Sequence, residues 1–290
     1  MASEDSIPDF TLTDALDAQI EEAATAVVGA RRSMALTGAG LSVESGIPPF
    51  RGPGGLWTKY GEPPMDGHQR FLEDPAKHWR EQLEPSQPWA VGLLDTLSNA
   101  KPNAGHRAFA ELERRGFCHS LITQNVDDLH GQAGTQSLLE IHGNYFLLRC
   151  VGCNARFQST RTGPGANKDR GLPELGIDPE NLPPLCPECG GIVKGDTVQF
   201  GELIPPDVLR GCYREVEAAD CMIVAGTSAT VYPAAEFPRE ILRGGGTVIE
   251  VNPEPTELTP LVSHFLKGPG GAVLERLLHH VATRAEANLP

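Results

Sequence analysis

The chain has 290 residues, 40% of them hydrophobic and 21% charged, which suits one medium α/β domain with insertions, or one large and one small domain. Its formal net charge of −14 offers no phosphate-neutralising surface, so nucleic acid is not an expected partner. No run is apolar for long enough to cross a bilayer, and the acidic start, MASEDSIPDFTLTDALDAQI, lacks the basic-then-apolar pattern of a targeting segment.

Along the chain, Leu16, Ile20, Ala23, Ala24, Val27 and Val28 recur at helical spacing between Ala15 and Arg31, with Thr13 or Asp14 as cap and Gly29 near the end. Ser33 to Thr37 reads as a short buried strand running into Gly38-Ala39-Gly40. Gly52 to Gly67 is rich in Gly and Pro and reads as a loop. Phe71 to Asn99 is expected to be helical but broken at Pro75, Pro85 and Pro88. Ala104 to Arg115 predicts a helix with Asn103 as cap and Gly116 as stop. Phe117 to Thr123 predicts a second buried strand, ending at Gln124-Asn125.

Between Phe146 and Phe200 the periodicity is lost, and paired cysteines, Gly and Pro take over. This stretch reads as an inserted small module. A helix is expected over Pro206 to Ala218, then strands over Cys221 to Ala225 and Thr247 to Val251, with a helix from Ala234 to Arg243 between them. A final helix covers Ala272 to His280. Strands alternating with helices predict a parallel sheet covered on both faces. Ligands in such sheets bind beyond the carboxyl ends of the strands. Those ends fall at Gly38, Asn125, Gly226 and Asn252.

Cys150-x2-Cys153 and Cys186-x2-Cys189 supply four thiolates that can close a tetrahedron around one zinc ion. Asn154 and Gly190 follow the pairs, and both tolerate the left-handed backbone of a knuckle turn. With no open coordination position, the zinc would be structural. Cys118, Cys212 and Cys221 read as buried small apolar residues. Paired thiols kept for a metal point to a reducing, cytoplasmic setting.

Gly38-Ala39-Gly40 after a strand suits a phosphate cradle, but it suits a tight strand-to-helix turn as well, because the third glycine of the dinucleotide fingerprint is replaced by Val43. The longer strings are more specific. GAGLSVESGIPPFRG (Gly38 to Gly52), TQNVDDLH (Thr123 to His130), IHGNYF, GTSATVYPAAEFP and VNPEP occur in one order. In this order they resemble the sirtuins, NAD-dependent protein lysine deacylases, and the bacterial and archaeal branches most.

The resemblance implies a Rossmann-like domain formed by residues 1–144 and 201–290, with a helical insertion near 53–100 and a zinc-ribbon module over 145–200. It also implies a reaction. The carbonyl oxygen of an acyl-lysine attacks the nicotinamide ribose of NAD, nicotinamide leaves, and the acyl group ends on ADP-ribose. His142 would be the general base, its ordinary pKa near 6.5 suiting the task. Asn125 and Asp127 would hold the nicotinamide carboxamide, although Asp127 also reads as a helix cap. Phe50 would cover the ribose, against a plain core role, and Arg51 would lie near the phosphates. Gly38, Ala39, Gly40, Ser42, Gln124 and Gly226 match cofactor contacts. Thr227 and Ser228 would bind phosphate or ribose, and Asn252 the adenosine ribose. Val198, Phe200 and Gly201 match a strand that pairs with the substrate backbone. His106 and His130 are expected to make structural hydrogen bonds.

The sequence departs from the family at Pro49, where an Asp is common, at Gly195 for a usual proline, and at Gln199 for an apolar or aromatic residue. The Tyr and Arg pair that binds acidic acyl groups in one branch is absent, since no Tyr lies between Gly61 and Asn144. A neutral acyl group, acetyl first, is therefore expected, on protein or peptide substrates of a monomeric enzyme. ADP-ribosyl transfer or NAD hydrolysis on the same site, and a non-catalytic zinc or ADP-ribose binding module, are the alternatives.

Overall fold

The computed structural model describes residues 10–52, 54–159 and 171–287. The first nine residues and 160–170, inside the predicted module, lie outside them.

Helix α1 (Asp14–Gly29) starts at Thr13, whose hydroxyl oxygen accepts from Leu16 N, and leads into β1 (Ser33–Thr37). A 3-10 turn, Ala39–Ser45, follows the strand. After α2 (Leu56–Tyr60), the helical region is broken where the prolines predicted, into α3 (Gly67–Glu73), α4 (Pro75–Leu83) and α5 (Pro88–Asn99). Pro75 and Pro88 each open a helix, where a missing amide hydrogen costs nothing. The predicted loop over Gly52 to Gly67 therefore contains α2.

Helix α6 (Ala104–Arg114) begins with a reciprocal cap between Asn103 and His106. Strand β2 (Leu121–Thr123) starts four residues later than predicted, because Phe117 N is still bonded to Leu112 O as the chain turns off α6. Then come α7 (Leu129–Ala133) and β3 (Leu138–Glu140). Strands β4 (Leu147–Cys150), β5 (Arg156–Ser159), β6 (Glu174–Leu175) and β7 (Val193–Gly195) form a sheet of their own. The chain returns through α8 (Pro206–Ala218), β8 (Cys221–Ala225), α9 (Phe237–Arg243), β9 (Thr247–Asn252), β10 (His264–Lys267) and α10 (Gly270–Ala287). Helix α10 outruns its predicted end because Val281 is buried in the core and His280 reaches Asp17 of α1.

The main sheet has the order β10-β9-β8-β1-β2-β3, with every neighbouring pair parallel. This is the Rossmann-like arrangement the sequence implied. Strands buried on both faces alternate their side chains between two cores. Ala35, Ile223 and Ala225 face α1, α6 and α10 through Ile20, Val27, Phe109 and Leu277. Met34, Leu36, Met222 and Val224 face α8 and α9 through Val216, Phe237 and Ile241. In the smaller sheet, Trp79 of α4 packs with Leu148, Phe157 and Val193, and its indole N–H donates to Val193 O at 2.8 Å. The helical insertion and the smaller sheet thus share one apolar cluster.

Candidate active site

The strand order reverses between β1 and β8, and a ligand crevice is expected beyond the carboxyl ends of such a pair. The loops leaving these strands touch. Gly40 N donates to Gly226 O at 2.7 Å, and Gly38 N to Ala225 O at 3.0 Å. A Cβ on Gly40 would lie 2.8 Å from Gly226 O, and Gly226 itself has φ +63°. These glycines let two backbones meet at the crevice floor, which the motif alone did not specify.

Above that floor opens a cleft of about 2140 Å³. It exceeds the roughly 300–1,000 Å³ typical of small-ligand pockets, leaving room for a dinucleotide and a peptide together. Gly38, Ala39, Gly40, Phe50, Arg51, Gln124 and Asn125 border it, as do His142, Val198, Phe200, Gly201, Gly226, Thr227, Ser228 and Asn252. Ser42 and Asp127 do not; both are buried behind Asn125. Asn125 Nδ2 donates to Ser42 Oγ at 3.1 Å and to Gly38 O at 3.0 Å, and Ser42 Oγ donates to Asp127 Oδ2 at 2.6 Å. Asp127 Oδ1 accepts from Leu129 N at 3.0 Å, so the side chain also serves the start of α7. Burial raises its carboxyl above the ordinary value, opposed by the bonds from Ser42 and Leu129.

His142 Nδ1 lies 3.1 Å from Gln124 O. A carbonyl only accepts, so Nδ1 carries the proton and Nε2 is the basic nitrogen. Burial lowers the imidazole below its ordinary value, and the bond to the Gln124 carbonyl opposes the shift. Gln124 Nε2 also donates to Thr227 Oγ1 at 2.8 Å, and Asn252 Nδ2 to Thr227 O at 3.1 Å. One chain of bonds therefore ties the ends of β2, β8 and β9 together. Ser228 is exposed and pairs with Thr230.

Phe50 is 41% exposed, which removes a plain core role. Its ring lies 5.1 Å from Trp57, which lies 5.8 Å from Phe200. The Arg51 guanidinium sits 4.3 Å over Trp57. Residues 198–201 form no strand. Val198 N is spent on His142 O, Gln199 N on the Glu202 carboxylate, and Phe200 O on His68 N. One backbone group at each of Val198 and Phe200 is thus held from within, while Val198 O and Phe200 N have no bond among the described residues.

The four paired cysteines bring their sulfurs within 4.8 Å of one another, with Cys150 to Cys189 at 3.5 Å and Cys153 to Cys186 at 3.7 Å. Tetrahedral zinc with bonds of about 2.3 Å sets sulfurs about 3.8 Å apart, so the set fits the ion. Asn154 at φ +62° and Gly190 at φ +73° adopt the expected left-handed turns. Cys118, Cys212 and Cys221 are buried, as expected. His130 bonds Thr37 and His106 bonds Asn103, as expected too.

Residues 38–233 match the profile of the Sir2 family. The chain belongs to that family. NAD-dependent protein deacylase 1 of Archaeoglobus fulgidus is 44% identical over 250 residues, covering 86% of this chain and 92% of that protein. A solved Sir2 homologue in complex with NAD is 40% identical, covers 91% of this chain and 94% of its own, and superposes with a TM-score of 0.72. A Sir2 variant bound to a deacetylated p53 peptide and 3'-O-acetyl ADP-ribose is 30% identical, with coverages of 90% and 97% and a TM-score of 0.70.

Two parts of this Sir2 site escaped the sequence reading. Trp57 had a signal, being an aromatic residue in a Gly- and Pro-rich loop beside Phe50-Arg51. Asp196 had none. It is fully buried and accepts from Arg149, Arg156 and Asn144 N. It thereby fastens β4 and β5 to the turn that follows His142.

Proposed function

We propose that this chain is an NAD-dependent protein lysine deacylase, using a structural zinc at Cys150, Cys153, Cys186 and Cys189. The supporting observation is the tautomer of His142: its Nδ1 is tied to Gln124 O, which leaves Nε2 as a base in the cleft that Asn125 and the Phe50 loop also border. Bound NAD would supply an electrophilic ribose carbon with nicotinamide as leaving group, and its ribose would accept the acyl group.

The residues divide the work. Both donor bonds of Asn125 run inward, to Gly38 and Ser42, so its amide oxygen is left for the nicotinamide carboxamide. Ser42 holds Asn125 from behind, and Asp127 acts through Ser42. Phe50, on an exposed loop, is free to cover the ribose and keep water out. Arg51 serves the phosphates. The bare backbone at Gly38, Gly40 and Gly226 admits the pyrophosphate, and Thr227, Ser228 and Asn252 take the ribose and phosphate beyond it. His142 Nε2 takes the proton from the ribose hydroxyl.

The acyl group is neutral, acetyl first, because the sequence lacks the Tyr and Arg pair for acidic chains. The smaller sheet and its zinc turns, 145–200, form the second domain. No helix among the described residues is long and apolar enough to cross a membrane. None of the seven cysteines is in a disulfide among the described residues, which suits a reducing, cytoplasmic setting, and we read the enzyme as a monomer.

The test is mass spectrometry of the products from NAD with and without acetyl-, succinyl- and free-lysine peptides. Nicotinamide release that requires acyl-lysine is expected, and His142→Ala should abolish formation of acyl-ADP-ribose and free lysine. Release at a similar rate without acyl-lysine would favour NAD hydrolysis or ADP-ribosyl transfer, and fastest turnover of the succinyl peptide would overturn the neutral-acyl reading.

A further inference from the structure

The strands of the main sheet end in a row, and the cleft follows that row. His142 stands after β3, Asn125 after β2, Gly38 after β1, Gly226 after β8, and Asn252 at the end of β9. One strand remains, the edge strand β10. Its last residue, Lys267, is paired with Asn252, and the next amide, Gly268 N, donates to Asn252 O at 3.0 Å. Lys267 and Gly268 border the cleft as well. The cleft therefore runs one strand past Asn252, a step of about 4.8 Å.

The wall at this end comes from the segment before α1. Phe10 is half-buried, packs against the core formed with α1, α6 and α10, and borders the cleft, as do Thr13 and Leu16. Helix α1 lies against β10 and α10, which brings its start to the edge of the cleft. The meeting of Phe10 with the loop after β10 needs bare backbone. A Cβ on Gly268 would lie 2.8 Å from Phe10 Cε2 and 2.8 Å from Val273 Cγ2. The ring is thus set against the residue that bonds Asn252. Phe10 and α1 lie outside residues 38–233, the stretch that matches the Sir2 profile.

We propose that Phe10 belongs to the cofactor site, and that the adenine base of NAD lies against its ring where the cleft passes Gly268. The inference rests on the reading of Asn252 as the seat of the adenosine ribose, and adds the segment before α1 to the binding surface. With nicotinamide at Asn125 and the pyrophosphate at Gly38, Gly40 and Gly226, the dinucleotide runs across the strand ends toward β10. A base is joined directly to its ribose, so a ribose at the end of β9 brings the base to the next strand. A purine has flat, apolar faces, and an aromatic side chain covers such a face with little loss of its own freedom. Phe10 brings a ring to the place where that face arrives.

The test is calorimetry with ADP-ribose, which carries the adenine but not the nicotinamide, beside steady-state kinetics. Phe10→Ser should weaken ADP-ribose binding about tenfold and raise KM for NAD in step. The KM for acetyl-peptide and the inhibition by nicotinamide, which bind at the other end, should hold. Phe10→Leu keeps the apolar contact with the core but not the flat face, and should lose most of that affinity, while Phe10→Tyr should retain it. ADP-ribose affinity within about twofold of wild type in Phe10→Ser would overturn the proposal. So would a Phe10→Leu variant that binds as wild type does, since Phe10 would then serve the core alone. Loss of ADP-ribose, peptide and nicotinamide binding together, with lower melting, would overturn it in the same way. A wild type that binds ADP-ribose in this Phe10-dependent manner, yet releases no nicotinamide with any acyl-peptide, would remove the deacylase reading and leave this one standing.

Discussion

Burial pushes the imidazole of His142 below its ordinary value, and under the general-base role proposed for it the sign of that shift sets the pH profile. A general base works only when neutral, which means above its pKa. The acid limb of kcat/KM should therefore have its midpoint below about 6.5, the unperturbed value, and the rate should be level from there through neutral pH. An acid-limb midpoint at 7 or above, in a pH series at saturating NAD, would show that another group controls the step. At this scale much of the site was legible in the sequence. Asn125, His142, Thr227 and Asn252 stand in strings whose order identifies them, and the structure brings all four to one cleft. The inward bonds were not legible. Nothing in TQNVDDLH says that Asp127 lies behind Asn125, or that His142 gives its Nδ1 proton to Gln124, because both depend on how separate loops meet.

Among the elements, the turn after His142 is the most constrained. Gly143 has φ +78°, and a Cβ there would lie 2.0 Å from the backbone oxygen of Asp196. Both the backbone conformation and the contact forbid a side chain, and neither side can yield, since Asp196 is held by Arg149 and Arg156. Gly143→Ala should cost roughly 3 kcal/mol or more in urea unfolding, combining left-handed strain with overpacking. A loss under about 1 kcal/mol, the cost of an ordinary glycine site, would mean that the turn can relax. Long periodic elements such as α1, α6 and α8 were readable because their apolar stripes are complete. Strands β3 and β10 were not. Three and four residues long, they carry too few positions for a period, and they exist because the sheet offers them an edge. The prolines were decisive in 71–99, but they start helices at Pro75 and Pro88 as well as ending them.

Across the whole molecule, the zinc site and the main sheet meet through Asp196. Its carboxylate accepts from Arg149 and Arg156 on the smaller sheet and from Asn144 N beside His142, and Arg156 also pairs with Glu140 of β3. The zinc turns close that same sheet, since Cys150 ends β4 and Cys186 packs in the same apolar cluster. A structural zinc supplies folding energy to a segment with little core of its own, and this cluster is small, built around Trp79, Leu148, Phe157 and Val193. Losing the metal should therefore free Asp196 and let His142 shift, while the end of the cleft at Thr227 and Asn252, proposed above for ribose and phosphate and tied to Gln124 within the main sheet, stays formed. The expected result for Cys186→Ser, or for protein stripped with a strong chelator, is a fall in kcat/KM of more than about tenfold, with ADP-ribose affinity changed by less than about threefold by calorimetry. Equal losses of both would show that the smaller sheet supports the entire fold, and unchanged turnover would show that His142 keeps its place without the metal.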